Sequence, residues 1–282
     1  MKRSAKPWIS FFLLIVMVFP LNAASATLRA RTLAGWENYV SATERRIGRE
    51  MENASEFLIL DSLPEKTREQ VQRSLDRGEV YVAKRQTRND AGKEIHVDSG
   101  MIHHWYGAVF VPNTNLRDVL RWVQNYEHHA EYFRDVERSR LISRNGNDFR
   151  IFLRLTRKKV VTVHYNTEHS VTYTDRGYGG YRRISSRSIA DRIAELENAG
   201  STGESEKTPD DDSGFLWRLN SYWRYEERNG GVVIECESIS LSRSIPFALG
   251  WLIRPFVESV PRESLTGMLE SIRDGIENQP AQ

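Results

Sequence analysis

Apolar positions along this chain change their period several times, and the order of those changes predicts its architecture. From Thr27 to about Ala54, Trp36, Tyr39, Val40 and Ile47 recur at spacings of three, four and seven, the mark of an amphipathic helix. Leu63-Pro64-Glu65 opens a second, short helix with Pro64 in its first turn, and Gly78 suits its C-terminal stop. Glu79 to Gln86 and Glu94 to Asp98 read as two strands about a turn at Asn89-Asp90-Ala91-Gly92. Residues 27–100 therefore form an N-terminal extension of helices plus a hairpin, whose role the pattern leaves open.

From Met101 the pattern becomes mostly strand. Met101 to Pro112 is the first strand, followed by a helical stripe of Leu116, Val119, Leu120 and Val123 that continues loosely to Phe133. Val136 to Ser143 is a strand, and Asn145-Gly146-Asn147 is a hairpin signal. Phe149, Ile151, Leu153 and Leu155 then alternate with polar residues, giving one buried and one wet face. Val160 to Thr174 is a strand; Gly180 to Leu196 begins as one, with a helical ending left open. Asn198 to Ser213 is almost devoid of apolar side chains and reads as a mobile loop. Phe215 to Glu227 and Val232 to Arg243 make the last hairpin around Asn229-Gly230-Gly231. A closing helix follows. Pro255 and Pro261 predict a bend or restart, after which Leu265, Met268, Leu269, Ile272 and Ile276 form one stripe. One antiparallel run closed by a long helix implies an α+β fold, a curved sheet gripping that helix over an elongated apolar space.

The first residues add a destination. Lys2, Arg3 and Lys6 precede an apolar stretch from Trp8 to Leu21 and then Ala24-Ser25-Ala26. That is the layout of a signal peptide (1–26), with cleavage expected after Ala26 and export to the periplasm or exterior; an uncleaved membrane anchor is the alternative. The formal charge is +2 without a block of one sign, which argues against a nucleic-acid partner. Cys236 is the only cysteine, so an intramolecular disulfide is excluded. Lying between Glu235 and Glu237 in a strand pattern, it reads as a small buried apolar residue.

The order strand, short helices, six strands and terminal helix resembles the START-like, or helix-grip, superfamily (SRPBCC). Its polyketide cyclase and coenzyme-Q-binding branches are the most similar. The resemblance covers Met101 to about Asn278. It is carried by Tyr126-Glu127-His128-His129-Ala130-Glu131-Tyr132-Phe133-Arg134-Asp135-Val136, by Ser221-Tyr222-Trp223-Arg224-Tyr225, by Ile245-Pro246 and by Pro261-Arg262-Glu263-Ser264-Leu265. It implies a helix-grip domain over 101–279 with a deep apolar cavity holding a lipid or another hydrophobic small molecule. It implies no catalytic motif and no cofactor. Fold alone does not fix function.

Candidate chemistry is sparse. His103-His104 with His128-His129 is the one cluster that suggests a site, but no His-x-x-x-His or Glu-x-x-His spacing supports a metal. Neighbours on a strand point to opposite faces, so only one of His103 and His104 can face a cavity. The expected cavity lining is His104, Tyr106, Asn166, Trp217, Trp223, Tyr225, Glu235 and Trp251, with Ser188 as a further polar strand position. Alternation puts Trp217, Leu219, Ser221, Trp223 and Tyr225 on one face, taken as inward. The expected function is an exported carrier of a hydrophobic molecule. The alternatives are a cyclase- or aromatase-like enzyme using His104 or Glu235 as acid or base, and an envelope interaction module acting through its N-terminal helices. Scattered pairs such as Arg182-Arg183, Lys158-Lys159 and Arg45-Arg46 read as solvated surface charge, with transient contact at a membrane surface as the alternative, at about 1 kcal/mol per cation. A protein partner is left unnamed by the sequence.

Overall fold

The computed structural model describes residues 30–53, 56–158, 162–180, 182–208, 211–244 and 250–278, with backbone alone for 250–258. The expected signal peptide therefore lies outside the described residues. Among those described, no helix is long and apolar enough to cross a membrane.

The chain is α+β. Its N-terminal part supplies helices α1 (Ala30–Glu52), α2 (Ile59–Ser62) and α3 (Glu65–Asp76), then strand β1 (Tyr81–Lys84). Strand β2 (Gly100–Pro112) leads to α4 (Leu116–Val123), a 3-10 turn at Tyr126–His128 and α5 (His129–Tyr132). Strands β3 (Val136–Asn145), β4 (Asp148–Lys158), β5 (Thr162–Asp175), β6 (Arg183–Glu197), β7 (Ser205–Glu206), β8 (Arg218–Arg228) and β9 (Gly231–Arg243) follow, and α6 (Gly250–Glu277) closes the chain. The strands form one sheet of nine in the order β1-β2-β9-β8-β6-β5-β4-β3, with β7 paired to β6. Pairing is antiparallel throughout. The element order is that of a helix grip, a curved antiparallel sheet closed by a terminal helix.

The sheet is buried on both faces at its β2–β9–β8 side. Its inner face packs Val109, Val111, Ile151, Val171, Tyr225, Val232 and Ile234 against Val119 and Trp122 of α4 and Leu265, Leu269, Ile272 and Ile276 of α6. Gly107 lets the helix approach, because a Cβ there would stand 2.6 Å from Leu269 and 3.1 Å from Leu265. The outer face carries the N-terminal helices. Trp36, Tyr39 and Ile47 of α1 pack on Tyr222, Ile239 and Leu241. Phe57 to Leu60, Val71 and Leu75 pack on Tyr106, Ala108 and Val233. The sequence-defined extension is thus the second cover of the sheet, and its strand β1 pairs with β2.

Three local expectations are corrected. Strand β6 is extended to Glu197; Glu168 pairs with Arg192 and His169 with Ala190, leaving Asp191 as the extra residue of a bulge. That single insertion breaks the alternation and gave the end of the strand a helical look. The expected mobile loop is tethered: Arg154 donates to both oxygens of Glu204 at 2.8 and 2.6 Å, and Lys207 Nζ lies 2.7 Å from Glu195. Polar composition there reflects ion pairing as much as solvation. Helix α6 runs as one element through Pro255 and Pro261, without the expected restart. A proline removes one backbone bond, whereas the apolar stripe following Pro261 is held against β1, β2 and β9.

Candidate functional site

Directly paired residues in an antiparallel sheet share a face, so the register maps the wall that faces α6. Near the hairpin ends one row runs Ile184, Tyr225, Ile234, Val109, all large and packed. The next row is Tyr173, Ser186, Trp223, Cys236, Gly107. The row beyond it is Val171, Ser188, Ser221, Ser238, Trp105. Leu219, Ser240 and His103 follow. Small side chains therefore occupy the middle of the inner wall, where large ones would fill it. Trp105, Leu153, Leu155, Ile193 and Leu219 on this face are only partly buried. Tight packing under the C-terminal half of α6 gives way to a thinner, hydroxyl-bearing wall along the strands.

The buried imidazoles of this wall are neutral. His169 Nε2 is 2.9 Å from Thr167 Oγ1, whose own hydroxyl donates to the Leu153 carbonyl at 2.9 Å, so the imidazole is the donor. His103 Nε2 pairs likewise with Ser242 Oγ at 2.9 Å. Burial lowers both imidazoles to about 4. Trp223 Nε1 donates to Ser221 Oγ at 3.2 Å. The Tyr165 hydroxyl is buried with no hydrogen-bond partner, and burial followed by the nearby Glu195 pushes its pKa well up.

Of the sequence-expected lining, Trp223 and Tyr225 lie on the inner face, stacked with ring centroids 6.1 Å apart. His104, Tyr106 and Glu235 are corrected: they point to the outer face, sealed beneath the N-terminal helices. His104 Nδ1 meets Tyr39 Oη at 2.8 Å, and its Nε2 meets Glu237 at 2.6 Å. Glu235 accepts from the backbone N–H groups of Ile59 and Leu60 at 2.6 and 2.9 Å and from the Tyr106 hydroxyl at 2.7 Å. Alternation alone could not choose between two faces that are both covered. Asn166 lies on the outer face and donates to Glu206 at 2.9 Å. Trp217 precedes the first residue of β8, so strand alternation does not reach it; it packs with Trp36 and Tyr222 and donates to Asp212 at 3.0 Å. The Trp251 side chain lies outside the described residues.

The outer face holds the densest electrostatics. Arg46 and Arg85 pair with Glu237, and Arg46 also with Glu50. Arg224, itself buried, reaches Glu50 at 2.5 Å and the Phe57 carbonyl at 2.9 Å. Burial opposes ionisation of Glu237, but the His104 bond and the two guanidiniums prevail and hold its carboxyl far below the usual range. Glu235 is raised, because burial outweighs Arg224 and its hydrogen-bond donors. This layer joins helices to sheet. One surface cleft, of about 450 Å³, borders it between Arg46, Arg49, Thr87 and Asp90; another, of about 360 Å³, lies at Thr114, Arg182 and Asn229. Among the described residues no group of His, Cys, Asp and Glu could hold a metal ion.

No family model matches the chain, and no curated protein does. Solved structures do resemble it. A STAR-related lipid transfer protein from Xanthomonas axonopodis is 17% identical with a TM-score of 0.46, the match covering 71% of this chain and 94% of that one. The Zhui aromatase/cyclase from Streptomyces is 11% identical at 0.42, covering 63% and 94%. A human lipid transfer and protein localization domain is 10% identical at 0.41, covering 78% and 99%. At such identities and scores these likenesses assign nothing further to the chain.

Proposed function

We propose that this protein is an exported carrier that binds a hydrophobic small molecule or lipid between the inner face of the sheet and the N-terminal half of α6. The observation that carries this reading is the change in the wall. Large, sealed side chains near the hairpin ends give way to Ser188, Ser221, Ser238 and Ser240, flanked by the partly buried Trp105 and Leu219. Apolar rims around a few hydrogen-bonding groups are the usual make-up of a small-molecule site. Burial of the ligand's carbon surface supplies the affinity, at roughly 25 cal/mol per Å². Export is inferred from the charged, apolar and small-residue order of positions 1–26.

The test is organic extraction of the purified protein, followed by mass spectrometry. An apolar compound recovered unchanged in near-stoichiometric amount is expected. Repeated failure to recover one, together with failure to take up lipid from vesicles, would remove the carrier reading. N-terminal sequencing of the exported form checks the leader, with Thr27 expected first. An acid or base role for His104 or Glu235 finds no support in their positions, since both are sealed on the opposite face.

A further inference from the structure

The cleft of about 450 Å³ lies on the outer side of the molecule, between α1 and the segment that follows β1. Arg46 and Arg49 line it from α1, three residues apart and so on one face of the helix. Arg88 lines it from the opposite side, with Gln86, Asn89 and Asp90. That side is pinned to the helix through the buried Thr87. Its N–H donates to Tyr39 Oη at 2.8 Å, and its hydroxyl pairs with Thr43 at 2.7 Å. Asn89 fixes the turn above it, its side-chain oxygen accepting from the N–H groups of Ala91 and Lys93 at 3.1 and 2.9 Å. This leaves the Asn89 amide nitrogen, like that of Gln86, without a partner among the described residues. The cleft therefore has a fixed outline with open donors around it.

The charges around it do not balance. Among the described lining residues Asp90 is the one carboxylate, and Arg45 stands 3.5 Å from it. Arg88 donates to the Gly92 carbonyl at 3.0 Å and meets Glu94 only at 3.9 Å, so most of its donors stay open. Arg46 is answered from below by Glu50 and Glu237, but Arg85 draws on both and Arg224 on Glu50. Even with Glu235 counted beside Arg224, Glu50, Asp90, Glu94, Glu235 and Glu237 face one guanidinium more, those of Arg45, Arg46, Arg49, Arg85, Arg88 and Arg224. Arg49 is exposed and makes neither hydrogen bond nor ion pair among the described residues, Glu52 three residues on included. Guanidinium forks match the oxygens of phosphate and carboxylate, and a tetrahedral dianion can engage several forks at once. The volume falls in the usual range of small-molecule sites, about 300–1,000 Å³, so an organic group borne by a phosphate has room.

We therefore propose that this outer cleft binds a phosphate monoester through Arg46, Arg49 and Arg88, at a site apart from the inner wall and independent of carriage. A free phosphate ester and a phosphate-bearing lipid head group share this chemistry, and the test separates them. The full exported chain is titrated calorimetrically at pH 8, where the ester is a dianion, with sn-glycerol 3-phosphate and with glycerol as the uncharged control. It is also sedimented with phosphatidylcholine vesicles and with vesicles of equal parts phosphatidylcholine and phosphatidic acid. Saturable binding of a phosphate probe is expected, weakening as salt rises, with glycerol and plain phosphatidylcholine silent. Arg49→Glu should weaken it about ten-fold or more, and Arg88→Gln about three-fold or more. The thermal transition of Arg49→Glu should be kept, because Arg49 is bonded to nothing in the protein. Binding of glycerol 3-phosphate assigns a soluble ester, and sedimentation with phosphatidic acid alone assigns a head group; either one, lost in Arg49→Glu, bears the proposal out. Binding of neither phosphate probe, or binding that Arg49→Glu leaves unchanged, would overturn it, whatever organic extraction recovers from the inner wall.

Discussion

The Glu237 carboxylate is 1% exposed and accepts from His104, Arg46 and Arg85. Replacing it by Ala would leave both guanidiniums facing a buried gap, with Glu50 as the counter-charge they share. The usual cost of breaking such a pair is about 3–5 kcal/mol. The side chains of Arg46 and Arg85 are 22% exposed and reach some water, which places the expected loss near the lower end. Urea denaturation of Glu237→Ala should show a midpoint lowered accordingly, and Glu237→Gln a smaller fall. A loss below about 1 kcal/mol, the scale of a surface pair, would mean the layer is solvated. A second residue-scale prediction concerns pH. Burial holds His103, His129 and His169 neutral, each to about 4 against an ordinary 6.5. The unfolded chain takes up these protons below about pH 6.5 while the folded chain does not. Stability is therefore full above that pH and falls as pH drops toward 4, by about 1.4 kcal/mol per pH unit for each histidine. His169→Gln should flatten the slope of unfolding free energy against pH by close to one proton between pH 6 and 5; an unchanged slope would contradict the neutral assignment.

At the scale of elements, the helix–sheet contact turns on small residues. Gly107→Val would place methyl groups where Leu265 and Leu269 now sit, and overpacking of this kind costs about 1–3 kcal/mol. The expected signs are a lower melting temperature and altered near-ultraviolet circular dichroism from the aromatic core; unchanged values would show that α6 stands farther from β2. Strand positions, the hairpins at Gly146 and Asn229-Gly230, and the stripe of α6 were legible in the sequence because period and turn chemistry are local. The facing of β8 was read correctly from its alternation, but that of β2 and β9 was not. Val232-Val233-Ile234 is apolar on both sides, and Arg224, Glu235 and Glu237 look solvated until α1 supplies opposite charges to Arg224 and Glu237 and α2 its N–H groups to Glu235. The candidate site was legible in Leu219, Ser221, Trp223 and Tyr225 of β8 and in Ser188. Its serines come from separate strands, and only their register joins them.

Across the whole molecule, one sheet is covered by two sets of helices of different chemistry. The inner cover is apolar, contributing Leu265, Leu269, Ile272 and Ile276; the outer cover mixes apolar packing with ions. A chain begun at Gly100 would expose the buried face of β2, β8 and β9 with Arg224, Glu235 and Glu237 unpaired, so it should be insoluble or lack cooperative unfolding. A chain ended after Ser244 should fail for the opposite reason, by uncovering the apolar face. Retention of a sharp thermal transition by either would show that the two covers are dispensable. The ion layer also constrains motion. A greasy seam lets a helix roll or slide by small steps at modest cost, whereas matched charges hold one register. With β2 and β9 keyed from behind in this way, the wall acts as a stiff backplate, and the carriage proposed above then asks for any yielding from the helical side.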